Sequence, residues 1–140
     1  MPTVVCAVDE LGGDEAVNAA IDFCIGHMAD LRLVGVVADK FTDSSRGTAG
    51  ERVRRRKAVT SALERAADAA RAAGVRHSTT VRLGRVEKEL LAEAGAVGSG
   101  ELFFLRRRGR IRAVVTGMPR QDAVHISMAE STSRQLSAAA

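Results

Sequence analysis

Five arginines fall within seven residues: Arg106, Arg107, Arg108, Arg110 and Arg112. Guanidinium groups grip phosphates and carboxylates through paired hydrogen bonds, so a loop presenting Arg108, Gly109 and Arg110 at the end of a strand could hold an anion. The same residues fit a β-hairpin turning at Arg108-Gly109, whose alternate arginines point to solvent and discourage strand-to-strand pairing. A second basic run, Arg52, Arg54, Arg55, Arg56 and Lys57, opens a helical stretch. Cations there oppose the helix dipole, which is tolerable in a solvated face and useful for meeting an acidic partner. Asp9 closes the first apolar run. A carboxylate at a strand's carboxyl end can accept a hydrogen bond from a ribose or adenine group, or can satisfy the N–H groups of its own loop.

Reactive residue types are otherwise dispersed. His27, His77 and His125 have no metal-ligand spacing, and Cys6 and Cys24 both lie within apolar patterns, where they read as small buried hydrophobes. Ser99 in Gly-Ser-Gly is not a nucleophile elbow, because its glycines stand one residue away on either side rather than two. No Ser–His–Asp set, carboxylate pair or P-loop is present, so the expectation is a protein that is not an enzyme. The four Phe, with no Trp or Tyr, leave few stacking platforms, which argues against nucleic acid as a partner.

The 140 residues suit one domain, and 46% apolar with 27% charged residues is ordinary for a globular protein. No apolar run approaches the ~18 residues that span a bilayer, and Met1-Pro2-Thr3 offers no basic region ahead of the first apolar stretch. The expectation is a cytoplasmic chain without a membrane anchor. Charge is unevenly spread. Residues 1–39 hold seven acids against one base, Arg32, whereas the remainder holds twenty bases against ten acids, for a net charge of +4. Such asymmetry raises the question of an anionic partner for the second half, a small anionic ligand among them, without answering it.

The elements that must carry these residues follow from periodicity. Thr3–Val8 and Leu31–Ala38 are continuous apolar runs of the kind buried on both faces of a parallel sheet, and each is followed by an acid. Between them Asp14 can cap a helix whose inward stripe is Val17, Ala20, Ile21, Cys24 and Met28. A polar loop over 40–51 precedes a long helix over 51–73 with Val59, Leu63, Ala66, Ala70 and Ala73 inward and Gly74 as its stop. His77–Leu83 alternates as an edge-like strand. Val86–Ala94 reads as a short helix with Val86, Leu90, Leu91 and Ala94 inward, and Glu101–Leu105 as a fourth strand. Thereafter the simplest account is a hairpin with RIRAVVT returning, the rival being an irregular loop over 107–122. Val124–Met128 alternates again, and residues 131–140 read as a flexible tail after a domain spanning 1–130.

The order TVVCAVD, acidic helix from Asp14, LRLVGVVAD, Ala-rich helix ending ARAAGV, strand and Gly84-led helix resembles the universal stress protein family over about the first hundred residues. The resemblance implies a three-layer, doubly wound, mainly parallel α/β sheet of the adenine nucleotide alpha hydrolase-like kind, with an atypical C-terminal third, and a homodimer acting in stress response. In nucleotide-binding members the adenosine lies near an acid ending the first strand and a valine ending the second. Asp9 and Val37 stand in those places. The family's triphosphate grip, G-x-x-G, nine residues, then G-[ST], should follow the fourth strand. Here RRRGRIRAVVTG stands instead, while Gly95 and Gly98 precede that strand.

The expectation is thus a cytoplasmic, non-enzymatic stress-response or regulatory protein without a cofactor. The alternative is a binder of ATP, AMP or cyclic AMP using Asp9, Val37, Arg108, Gly109 and Arg110. An adaptor for an acidic partner or nucleic acid is the third reading. Dimerisation is expected through a late edge strand, Ala113–Gly117 or Val124–Met128.

Overall fold

A computed structural model describes residues 2–9, 14–38, 49–98, 102–107, 109–118 and 135–137. Along the chain these form β1 (Thr3–Val8), α1 (Asp14–His27), β2 (Asp30–Val37), α2 (Ala49–Ala72), β3 (His77–Leu83), α3 (Val86–Val97), β4 (Leu102–Arg107), β5 (Arg110–Thr116) and β6 (Gln135–Ser137). The described strands make one mixed sheet in the order β3-β2-β1-β5-β4-β6. β3, β2 and β1 run parallel, whereas β5 is antiparallel to β1 and to β4, and β6 antiparallel to β4. The expected parallel sheet therefore describes the N-terminal half, and an antiparallel half completes it.

Alternation along each strand sorts the core onto two faces. Val4, Cys6 and Val8 of β1 and Leu31 and Leu33 of β2 face α1 and α2, which contribute Val17, Ala20, Ile21, Leu63 and Ala66. Val5 and Ala7 of β1 and Val34 and Val36 of β2 face α3, which contributes Leu90 and Ala94. The result is three layers, with helices on both faces of the sheet. At Gly35 the α2 helix comes so close that an added Cβ would lie 2.9 Å from Val59 Cγ1 and 3.3 Å from Leu63 Cδ2.

Three residues expected in the inward stripes lie outside them. Met28 is 77% exposed because the chain has already left α1 there, with φ at 54°. Ala73, past the end of α2, is exposed, as is Leu91 on the flank of α3, while Phe23 of α1 is buried although outside the anticipated stripe.

The hairpin account of the arginine-rich segment holds. Arg107 pairs with Arg110 across a two-residue turn in which Gly109 adopts φ +78°, a left-handed conformation suited to tight hairpins. This corrects one dimerisation expectation. Ala113–Thr116 is flanked by β1 on one side and β4 on the other, so it has no open edge to offer a second chain. Val124–Met128 lies outside the described residues. Within the stretch expected as a tail, Gln135–Ser137 runs along β4.

Candidate functional site

Because β1, β2 and β3 are parallel, their carboxyl ends share one edge of the sheet. α3 starts at that edge, directly after β3. β5 runs antiparallel to β1, so its first residues, Arg110 to Arg112, arrive at the same edge. Between them lies a cleft of about 1060 Å³. Ala38, Val86, Leu91 and Ile111 supply its apolar lining, while Arg85, Lys88, Arg110 and Arg112 supply cations and Glu87 an acid.

A bulge shapes the β5 wall. Leu105 pairs with Ala113 and Arg106 with Ile111, which leaves Arg112 as an extra residue on β5. The phase of the strand changes there. Ile111 packs with Val114 on the α3 face, although strict alternation would place it with Ala113 and Val115 on the opposite face. Bulges re-aim side chains in this way. Arg112 Nη1 donates to Asp9 Oδ2 at 3.1 Å, with the two side chains 13% and 16% exposed. The carboxylate that ends β1 is thus already engaged by the protein itself.

The α3 wall carries the other cations. Its N-cap, Arg85, is extended (φ −90°, ψ 138°) and makes no side-chain capping hydrogen bond, since a guanidinium cannot accept one. The first turn of α3, Val86 to Lys88, lines the cleft and its N–H groups receive no cap from the Arg85 side chain, and a helix start of that kind favours an anion. Among the described residues no ion pair engages Arg85, Lys88 or Arg110.

Deeper along α3 the charges are fully matched. Glu93, only 5% exposed, accepts from Arg32 Nε at 2.9 Å and from Arg82 Nη1 at 2.6 Å; Arg82 Nε also donates to Glu89 Oε1 at 2.6 Å, and Arg32 Nη1 to Ser78 Oγ at 3.0 Å. Burial pushes the Glu93 carboxyl upward, but the hydrogen bonds from the two guanidiniums outweigh it and hold the group below the usual carboxylate range. The hydrogen bonds that Arg82 donates to Glu89 and Glu93 in turn raise its own pKa. Gly84, at φ +146°, permits this: a Cβ there would lie 2.6 Å from Glu89 Oε2. The network pins α3 to β2 and β3 and so fixes where its N-terminus opens.

Of the sequence-derived residues, Arg110 lines the cleft. Asp9 is drawn to the β5 side of this region through Arg112. Val37 is buried and uses its carbonyl to accept the Gly84 N–H at 3.0 Å. Gly109 is exposed at the hairpin tip, and Arg108 lies outside the described residues. Arg85 and Lys88 were not anticipated; their signal is the run Gly84-Arg85-Val86-Glu87-Lys88 at a strand-to-helix junction. The Arg32–Glu93–Arg82–Glu89 network was also missed, although a lone arginine inside LRLVGVV marks it.

Cys6 and Cys24 are buried free thiols, each raised to about 12 chiefly by burial, so neither is a nucleophile at neutral pH. Among the described residues no group of His, Cys, Asp and Glu could hold a metal ion, and no helix is long and apolar enough to cross a membrane. In comparisons with known proteins, no family model matches the chain and no curated protein is significantly similar to it.

Proposed function

We propose that this chain is a non-enzymatic, cytoplasmic regulatory protein of universal stress protein-like architecture, and that it binds a small anion in the cleft between α3 and β5. One observation carries the reading: three cations that have no carboxylate partner among the described residues, Arg85, Lys88 and Arg110, converge with the start of α3, which has no side-chain cap from Arg85, on one cleft. The apolar lining from Val86, Leu91 and Ile111 suits an organic body attached to the anionic group, as binding sites generally combine apolar walls with a few polar anchors.

The grip differs in kind from a glycine-amide cradle. After β4 the chain makes a two-residue turn and returns as β5, so no run of glycine N–H groups follows that strand to wrap a triphosphate. Among the described residues, side-chain cations and the α3 terminus are the groups at this cleft suited to holding a phosphate or carboxylate. An adenine nucleotide is the second reading, favoured by the position of Asp9 and Val37 at adjacent strand ends; a contact to Asp9 would have to displace Arg112.

Calorimetric titration with inorganic phosphate, AMP, cyclic AMP and ATP tests this. Binding of at least one of these, weakened about tenfold or more by Lys88→Ser combined with Arg110→Ser, supports the site; each lost charge-assisted hydrogen bond is worth roughly 1.5–3 kcal/mol. Silence from all four at millimolar ligand removes it.

A further inference from the structure

β3 is an outer strand of the described sheet, and among the described residues nothing pairs with its outer edge. Among the described residues β2 is its sole strand partner, and the pairing runs without a break from Leu31–His77 to Val37–Leu83. Edge strands are normally blunted by proline, bulges, brevity or exposed charge. This one has seven residues, no proline and no bulge. Its single formal charge, Arg82, is tied to Glu89 and Glu93 over the α3 face.

Two hydrogen bonds fix which residues look outward. Leu31 N–H donates to the Arg76 carbonyl at 2.9 Å, and Gly84 N–H donates to the Val37 carbonyl at 3.0 Å. In a parallel pair the main-chain groups of alternate residues point to the same neighbour. With an unbroken register, Ser78, Thr80 and Arg82 therefore serve β2, and Thr79, Val81 and Leu83 turn their N–H and C=O groups outward. Their side chains stand on the face opposite Arg82, and all three residues are exposed, Val81 at 36% and Leu83 at 61%.

We infer that this edge pairs antiparallel with β3 of a second copy of the chain, about a two-fold axis at Val81. In that register Val81 faces its own counterpart and Thr79 faces Leu83, each pair exchanging both main-chain bonds. Arg82 falls opposite Thr80 rather than another Arg82, so no like charges meet. The exposed Val81 and Leu83 side chains gain cross-strand neighbours on a single face. A self-complementary strip is what a two-fold interface requires. The inference is independent of the cleft, which opens between α3 and β5.

Light scattering and amide exchange test it on the full chain. Wild type should have the mass of a dimer. Val81→Pro removes an outward N–H while leaving the β2 ladder intact, and should give a monomer with unchanged circular dichroism; Leu83→Lys should weaken dimerisation about tenfold or more. In wild type the Thr79, Val81 and Leu83 amides should be protected, and in Leu83→Lys the Thr79 and Val81 amides should exchange freely while Ser78, Thr80 and Arg82 stay protected. A monomeric wild type, a dimer whose Thr79, Val81 and Leu83 amides exchange as free ones, or a folded Val81→Pro that remains dimeric overturns the proposal.

Discussion

Arg112 Nη1 lies 3.1 Å from Asp9 Oδ2, a contact between residues 103 positions apart that joins the end of β1 to the start of β5. It exists because the β5 bulge leaves Arg112 without a ladder position opposite β4. Both groups are largely shielded from water, so the pair should matter more than a surface ion pair. A double-mutant cycle with Asp9→Asn and Arg112→Met, followed by urea unfolding, should return a coupling of roughly 1–2 kcal/mol, in the range of hydrogen bonds to charged groups. A coupling near zero would mean that the contact is incidental.

Gly35 is where α2 sits nearest the sheet. Gly35→Ala would place a methyl 2.9 Å from the Val59 side chain, which is itself buried and stiff at its branch. The variant should lose about 1–3 kcal/mol, as overpacked cores do. Adding Val59→Ala should recover part of the loss despite the cavity that it makes. Equal stability of Gly35→Ala and wild type would show that α2 can shift away at no cost.

Glu93 gives the fold an acid-sensitive joint. Its folded pKa is held below the ordinary value of 4.5, so its contribution is complete above that value and is lost as pH falls through the depressed one. Unfolding free energy measured from pH 7 down to 3 should decline through that window. Glu93→Gln should be less stable at neutral pH and show a shallower acid slope. An identical slope in the two proteins would remove Glu93 from the account.

The thiols behave oppositely. Burial raises Cys6 and Cys24 to about 12 from 9.0, so their titration leaves stability unchanged below pH 9 and lowers it progressively as pH rises from 9 towards 12, where the unfolded thiols ionise and the folded ones do not. Neither should react with a disulfide reagent at pH 8 unless denaturant is added. Rapid labelling of native protein would contradict their burial.

The hairpin was legible because its determinants are local: two β-rich runs either side of Arg108-Gly109, with glycine where the turn needs it. The strands and helices flanking the parallel half were legible for the same reason, as continuous or 3.6-residue apolar patterns. The position of β5 was not. Insertion between β1 and β4 depends on which apolar strand best fills the space beside Val5 and Cys6, and no local pattern encodes that. The bulge at Arg112 was equally hidden, since RIRAVVT scans as regular alternation at its start. Asp9 does close the first strand, as its place after TVVCAV implies, but its partner Arg112 comes from a segment whose arginines read equally as a loop or as a solvated hairpin edge. Arg85 and Lys88 escaped notice because their relevance arises only when α3 and β5 meet across the cleft.

The cleft itself can be interrogated residue by residue. Amide and side-chain resonances of uniformly labelled protein would be followed by NMR while inorganic phosphate, AMP and ATP are added. Saturable shifts confined to Gly84–Lys88 and Arg110–Arg112, with little change at Gly109, are the result that an anion held by side-chain cations and the α3 terminus predicts. Shifts centred on Gly109, or no saturable change anywhere at millimolar ligand, would contradict it.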